Sequence, residues 1–214
     1  MFEFYTMKTG VNVKELKEIE KKILKGINLN NTINDIKLIG GFDIAYKNNK
    51  YVCAAVVIDF NTKEVVEKNI ATGEEIMSYS PTLAVFREGP AIIDAYRGLE
   101  NKPDVLMIKG NSALQKFKAG LASYVGVLLN KPCIGVAKEL LFGRLDEDRI
   151  IVDNELKGMA IKTKEFSNPV YVSPGHGISL DKAVEITKSL IRDPYKMPLP
   201  LHFAHKLANK EKKQ

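Results

Sequence analysis

Asp43 stands in an apolar stretch, GFDIAY (41–46), directly after the glycine pair Gly40-Gly41. A carboxylate between Phe42 and Ile44 is costly to bury unless it meets a partner. Taken alone, such an aspartate more commonly points outward from its sheet. Glu88 lies in FREGP (86–90) and either projects toward a sheet or stands solvated, paired with Arg87 or with nothing. Carboxylate oxygens suit a hard cation such as Mg²⁺. Lys138 directly follows the apolar run CIGVA (133–137), so it falls at the C-terminal end of a strand, where ligands of open sheets gather. An ordinary surface lysine is the alternative. The histidines His176, His202 and His205 are too few and too loosely spaced to argue a zinc site.

The elements that must position these groups follow from periodicity. Residues 12–27 place Val13, Leu16, Ile19, Ile23 and Leu24 on one helical stripe, and Gly26 ends it. Residues 36–46, 50–60 and 63–71 predict three strands joined by turns at Lys47-Asn48-Asn49 and Asn61-Thr62, an antiparallel meander. A loop is expected over 74–81, then a helix over 83–99 interrupted near Gly89-Pro90. The wholly apolar runs 104–108 and 133–137 predict strands covered on both faces. With a helix over 115–129 between them they form a parallel pair with a crossover. Two or three short strands are expected within 148–173, a helix over 179–192 capped by Ser179, and a last helix from about Pro200. The expected fold class is α/β, a mixed sheet of meander and parallel strands flanked by helices, in one domain over residues 1–214.

The bulk numbers fit that reading. The chain has 214 residues, 45% hydrophobic and 27% charged, with no apolar run long enough to span a membrane. Its first residues lack the basic-then-apolar pattern of a secretory signal. Cys53 and Cys133 each sit in an apolar run and read as buried free thiols, which points to a reducing cytoplasm. The net charge of +6 and a basic tail over 206–214 favour a polyphosphate partner. A monomer is expected.

Together, GFDIAY (41–46), SYSPTLAVFREGPAII (78–93), GLASYVGVLLNKPCIGVAKELLFG (120–143), YVSPGHGISLDKAVEI (171–186) and PLPLHFAH (198–205) resemble the endonuclease V family in order and spacing, across roughly residues 36–208. The resemblance implies a ribonuclease-H-like fold. It also implies Mg²⁺-dependent hydrolysis of a phosphodiester to the 3′ side of inosine or deoxyinosine in DNA or RNA. Asp43, Glu88 and His205 match the family's catalytic positions, with Asp43 and Glu88 as metal ligands. Tyr79, Ser80 and Pro81 match the wedge loop that enters the duplex, a role that suits an aromatic ring and a proline. Thr82, Gly110, Lys138 and Leu141 complete the implied nucleic-acid-binding set, with the lesion base turned out into a pocket.

The pattern breaks at one decisive place. Where the family carries an aspartate before a glycine, this chain reads Lys109-Gly110. Nearby departures are LQKFK (114–118), Tyr124 for a histidine, Thr82 for a glycine and His202 for an arginine. An ammonium about 4 Å from a carboxylate, at an effective dielectric near 20, is attracted by about 4 kcal/mol before desolvation, and it repels Mg²⁺ in the same place. Lys109 is therefore expected at the active centre, paired with Asp43 and Glu88 and weakening or abolishing Mg²⁺ binding. The alternative is that it swings out and one metal still binds. Two functions compete: an active endonuclease on deaminated nucleic acid, and a homologue that grips nucleic acid without cutting it. A subunit of a larger complex is a third reading with nothing specific behind it.

Overall fold

In the computed structural model, residues 13–77, 83–110 and 119–213 are described. Helix α1 (Val13–Gly26) precedes β1 (Leu38–Lys47), β2 (Lys50–Asp59) and β3 (Val65–Glu74). Then come α2 (Ala84–Arg97), β4 (Val105–Lys109), α3 (Leu121–Leu129) and β5 (Cys133–Ala137). Strands β6 (Arg144–Asp146), β7 (Arg149–Val152), β8 (Glu155–Ile161) and β9 (Val170–His176) follow, and helices α4 (Leu180–Ser189) and α5 (Leu199–Glu211) end the chain.

Among the described residues, nine strands form one sheet in the order β3-β2-β1-β4-β5-β9-β8-β7-β6. The meander β1–β3 is antiparallel, as expected from its short turns. Strand β4 pairs parallel with both β1 and β5, and the rest of the sheet is antiparallel.

Side-chain alternation explains why β2 and β4 are apolar without a break. Cys53, Ala55, Val57, Leu106 and Ile108 pack with α1, α2 and α3 on one face. Val56, Ile58, Val105 and Met107 pack with α4 and α5 on the other. A strand covered on both faces loses its polar phase. Both cysteines are buried free thiols.

Four expectations need correction. Helix α2 runs through Gly89 and Pro90 without a break. Proline removes one backbone donor, but packing on the sheet and on α3 holds the helix together. Gly89 is needed for that packing, because a Cβ there would meet the Tyr124 ring at 2.4 Å. Helix α3 starts at Leu121, with Gly120 as its N-cap, whereas the expected helix began at 115; residues 115–118 lie outside the described ones. Helix α4 stops at Ser189 rather than 192, in a turn ahead of Pro194. Strand β6 was not expected at all, its three residues all being exposed at the sheet edge.

Candidate active site

The parity of the strands sets the site. Asp43 in β1 shares its face with Ala45, which packs against Ala208 of α5. Strand β4 runs beside β1 with Phe42 level with Ile108, so Lys109 at the C-terminal end of β4 falls next to Asp43 in the middle of β1. Val105, Met107 and Lys109 share the α5 face by period two.

Helix α5 comes close to that face because β1 carries Gly41. A Cβ at Gly41 would lie 2.3 Å from the backbone carbonyl carbon of Pro200. Leu201, Ala204 and Ala208 bury the inner face of α5 and turn His205 toward Asp43. Asn209 donates its side-chain amide to the His205 carbonyl at 2.9 Å.

Asp43 is only 5% exposed, and its carboxylate is fully engaged. Lys109 Nζ donates to Oδ1 at 2.9 Å and to Oδ2 at 3.0 Å. His205 Nδ1 donates to Oδ2 at 2.5 Å, and the Ile44 amide donates to Oδ1 at 2.9 Å. The outward-pointing aspartate is thus ruled out here: Asp43 is buried with two cationic or protonic partners.

Glu88 reaches the same place from the opposite face of the sheet. A cavity of about 140 Å³ is lined by Asp43, Lys109 and Glu88, with Phe42, Ile44, Ile92 and Leu121 as its apolar walls. Burial pushes the Glu88 carboxyl above the usual carboxylate range. Arg87 pulls it back, Asp43 adds to the rise and Lys109 opposes it.

The hydrogen-bonded carboxylate partner of Arg87 is Glu75. Its Nε and Nη2 donate to Glu75 Oε1 at 2.9 and 2.6 Å, and its guanidinium lies 3.7 Å over the Tyr46 ring. The Tyr46 hydroxyl is buried without a hydrogen-bond partner among the described residues. Sequence reasoning missed this Tyr46–Arg87–Glu75 cluster, which ties the first turn of α2 to the ends of β1 and β3. The available signal was an arginine next to an acidic site residue.

The remaining candidates divide into two groups. Lys138 is exposed immediately after β5, at the same end of the parallel strands as Lys109. Leu141 is 62% exposed beyond it, next to the exposed Phe142. Gly110 follows Lys109 with φ +146° and donates its amide to Val136 at 3.0 Å. Tyr79, Ser80, Pro81 and Thr82 lie outside the described residues, as do residues 114–118. Tyr124 is buried against Phe86, and His202 stacks on Tyr195 with ring centroids 3.8 Å apart.

The profile described as Endonuclease V matches residues 18–206. This chain belongs to the endonuclease V family. Endonuclease V of Thermofilum pendens is 40% identical over 175 residues, covering 79% of this chain and 75% of that protein. Endonuclease V of Dictyoglomus thermophilum is 36% identical over 201 residues, covering 90% and 86%. The crystal structure of endonuclease V from Bacillus subtilis superposes with a TM-score of 0.88 at 30% identity, covering 98% of this chain and 95% of that one. Endonuclease V of Ciona intestinalis superposes with a TM-score of 0.84 at 25% identity, covering 94% and 98%. That structure is a complex with a 24mer DNA containing an inosine followed by a ribo-adenosine. The fold is the family's ribonuclease-H-like mixed sheet. Among the described residues, no helix is long and apolar enough to cross a membrane.

The endonuclease V family is generally metal-dependent, and this family member's donors can be tested against that need. A carboxylate offers about four lone-pair directions. The ammonium of Lys109 takes one on each Asp43 oxygen, the Ile44 amide and His205 take the others. Glu88 is then the one carboxylate left facing the cavity. Mg²⁺ demands near-octahedral oxygen ligation and neutralising charge. Among the described residues, no group of three or more His, Cys, Asp or Glu side chains could hold a metal ion. As arranged, these residues do not fit a divalent cation.

Proposed function

We propose that this protein binds inosine-containing nucleic acid across the C-terminal ends of β1, β4 and β5 and hydrolyses a phosphodiester beside the deaminated base. The observation that carries the reading is the convergence of Asp43, Lys109 and Glu88 on one cavity, with His205 hydrogen-bonded to Asp43 beside it. Family membership and the inosine-containing DNA bound by the Ciona intestinalis relative support it.

The chemistry open to the side chains is specific. Asp43 holds His205 by its Nδ1 proton, which leaves Nε2 as the ring nitrogen able to take a proton from water. Lys109 presents positive charge to a phosphate, and Lys138 offers a second phosphate contact. Leu141 and Gly110 border the route by which a flipped base would enter, and Tyr79, Ser80, Pro81 and Thr82 belong to the proposed wedge. Mg²⁺ is the ion that the family resemblance implies; the saturated Asp43 carboxylate argues against it here, so the roles above belong to the chain's own residues. The buried free thiols suit action in the cytoplasm, as a monomer of one domain with a basic tail over 206–214.

One observation favours a second reading. With every Asp43 lone pair occupied, the same surface could grip nucleic acid without cutting it. End-labelled inosine-containing and control strands, as DNA and as RNA, separate the two when cleavage and band shift are recorded together with Mg²⁺, Mn²⁺ or EDTA. Inosine-dependent cleavage that disappears in Asp43→Ala is the expected result. Binding that prefers inosine, with no cleavage under any condition, would leave recognition and remove hydrolysis. Absence of any preference for inosine would sink both.

A further inference from the structure

We infer that Lys109 is the resident cation of this centre, and that it keeps divalent metal ions out of the pocket. The inference rests on reading the cavity as the family's hydrolytic centre. Lys109 Nζ stands 2.9 and 3.0 Å from the two Asp43 oxygens, almost symmetrically. That is the position a cation takes in front of a carboxylate. The other lone pairs of Asp43 are held by the Ile44 amide and His205.

Lys109 halves the formal negative charge that Asp43 and Glu88 bring to the cavity. A dication entering there meets an ammonium at contact distance and finds no vacant direction on Asp43. Glu88 cannot compensate alone, because one carboxylate falls short of the oxygen ligation a divalent ion demands. The side chain of Lys109 is 32% exposed, so its stem has room to be replaced by a shorter residue without opening a buried void.

The substitution Lys109→Asp should turn the same pocket into an acidic metal site. It removes the blocking ammonium, frees both Asp43 oxygens and adds a third carboxylate at the end of β4. Metal uptake, rather than cleavage, is the direct readout. Mn²⁺ is the probe, since carboxylates bind it as they bind Mg²⁺ and its free ion is counted by electron paramagnetic resonance.

The wild type should show no saturable Asp43-dependent uptake of Mn²⁺. Lys109→Asp should take up one ion per chain, at least about tenfold more tightly, given a two-unit swing in charge beside the ion. Adding Asp43→Asn to it should abolish that uptake. Lys109→Met removes the charge without adding a ligand and should show weak uptake that also depends on Asp43. It decides the matter if the aspartate variant does not fold, as judged by circular dichroism and thermal melting.

Stoichiometric, Asp43-dependent uptake by the wild type, as tight as in the variants, overturns the inference. So does a folded Lys109→Asp or Lys109→Met that binds no better than the wild type. Neither result touches inosine recognition, which is read from the band shifts; loss of inosine preference with the Mn²⁺ pattern intact would sink the functional reading instead.

Discussion

Glu88 and Asp43 occupy the same cavity yet stand in opposite electrostatic situations. Asp43 has lost its water but gained four hydrogen bonds, and that exchange keeps a buried carboxylate tolerable. Glu88 has lost water with less in return, so burial moves its carboxyl upward. The sign of the stability effect follows. A carboxyl raised in the folded state holds its proton where the unfolded chain has released it, so the folded form binds more protons and stability falls as pH rises above the unfolded value. Glu88→Gln should therefore melt with the wild type near pH 4 and above it at neutral pH. The gain is at most about 2–4 °C, the shift that 1 kcal/mol produces in a chain of this size. Equal melting temperatures at both pH values would mean that Glu88 is adequately solvated. At this scale the sequence showed which residues were chemically odd, an aspartate in an apolar strand and a lysine closing another. It could not show that the two oddities neutralise each other, because 66 residues separate them. The Arg87–Glu75 pair was hidden for the same reason: neither residue is unusual until the end of β3 and the start of α2 are brought together.

Between elements, backbone approach decides whether these side chains meet. His205 reaches Asp43 only because α5 lies directly on β1 at Gly41, where an added Cβ would strike the Pro200 carbonyl at 2.3–2.4 Å. Backbone cannot yield as a flexible side chain can. Gly41→Ala should cost about 1–3 kcal/mol from overpacking alone, and should also lift α5 and loosen the His205–Asp43 hydrogen bond. Thermal melting measures the first effect. The His205 ring signals in a proton–nitrogen NMR spectrum measure the second, and an unchanged ring environment in a destabilised variant would show that α5 adjusts without moving His205. The strands were legible because burial on both faces writes itself as an unbroken apolar run, and the meander because its turns carry asparagines with positive φ, at Asn48 and Asn49. The continuity of α2 was not legible. Local rules make Gly89-Pro90 a break, and only the Tyr124 ring packed against Gly89 shows why glycine belongs inside a helix there. Edge strand β6 was equally obscure, since three exposed residues carry no period.

Across the whole molecule, the net charge of +6 is a modest excess, and its placement matters more than its size. Lys138 stands exposed where β5 ends, beside the end of β4 that holds Lys109. Four lysines, Lys206, Lys210, Lys212 and Lys213, lie on or just beyond α5, the helix that presents His205 to Asp43. A phosphate backbone crossing the cavity would run between these two sources of charge. Such contacts release counterions, so the logarithm of affinity should fall linearly with the logarithm of salt concentration. Each lost phosphate contact should flatten the slope by about one unit. Lys138→Ala should do this equally for inosine-containing and control strands, because a phosphate contact positions the strand and carries no base information. Substituting Lys212 and Lys213 instead tests whether the chain's basic end touches the same strand. A Lys138→Ala variant that keeps the wild-type slope but loses its inosine preference would place Lys138 at the base rather than the backbone, and would move the lesion pocket toward the end of β5.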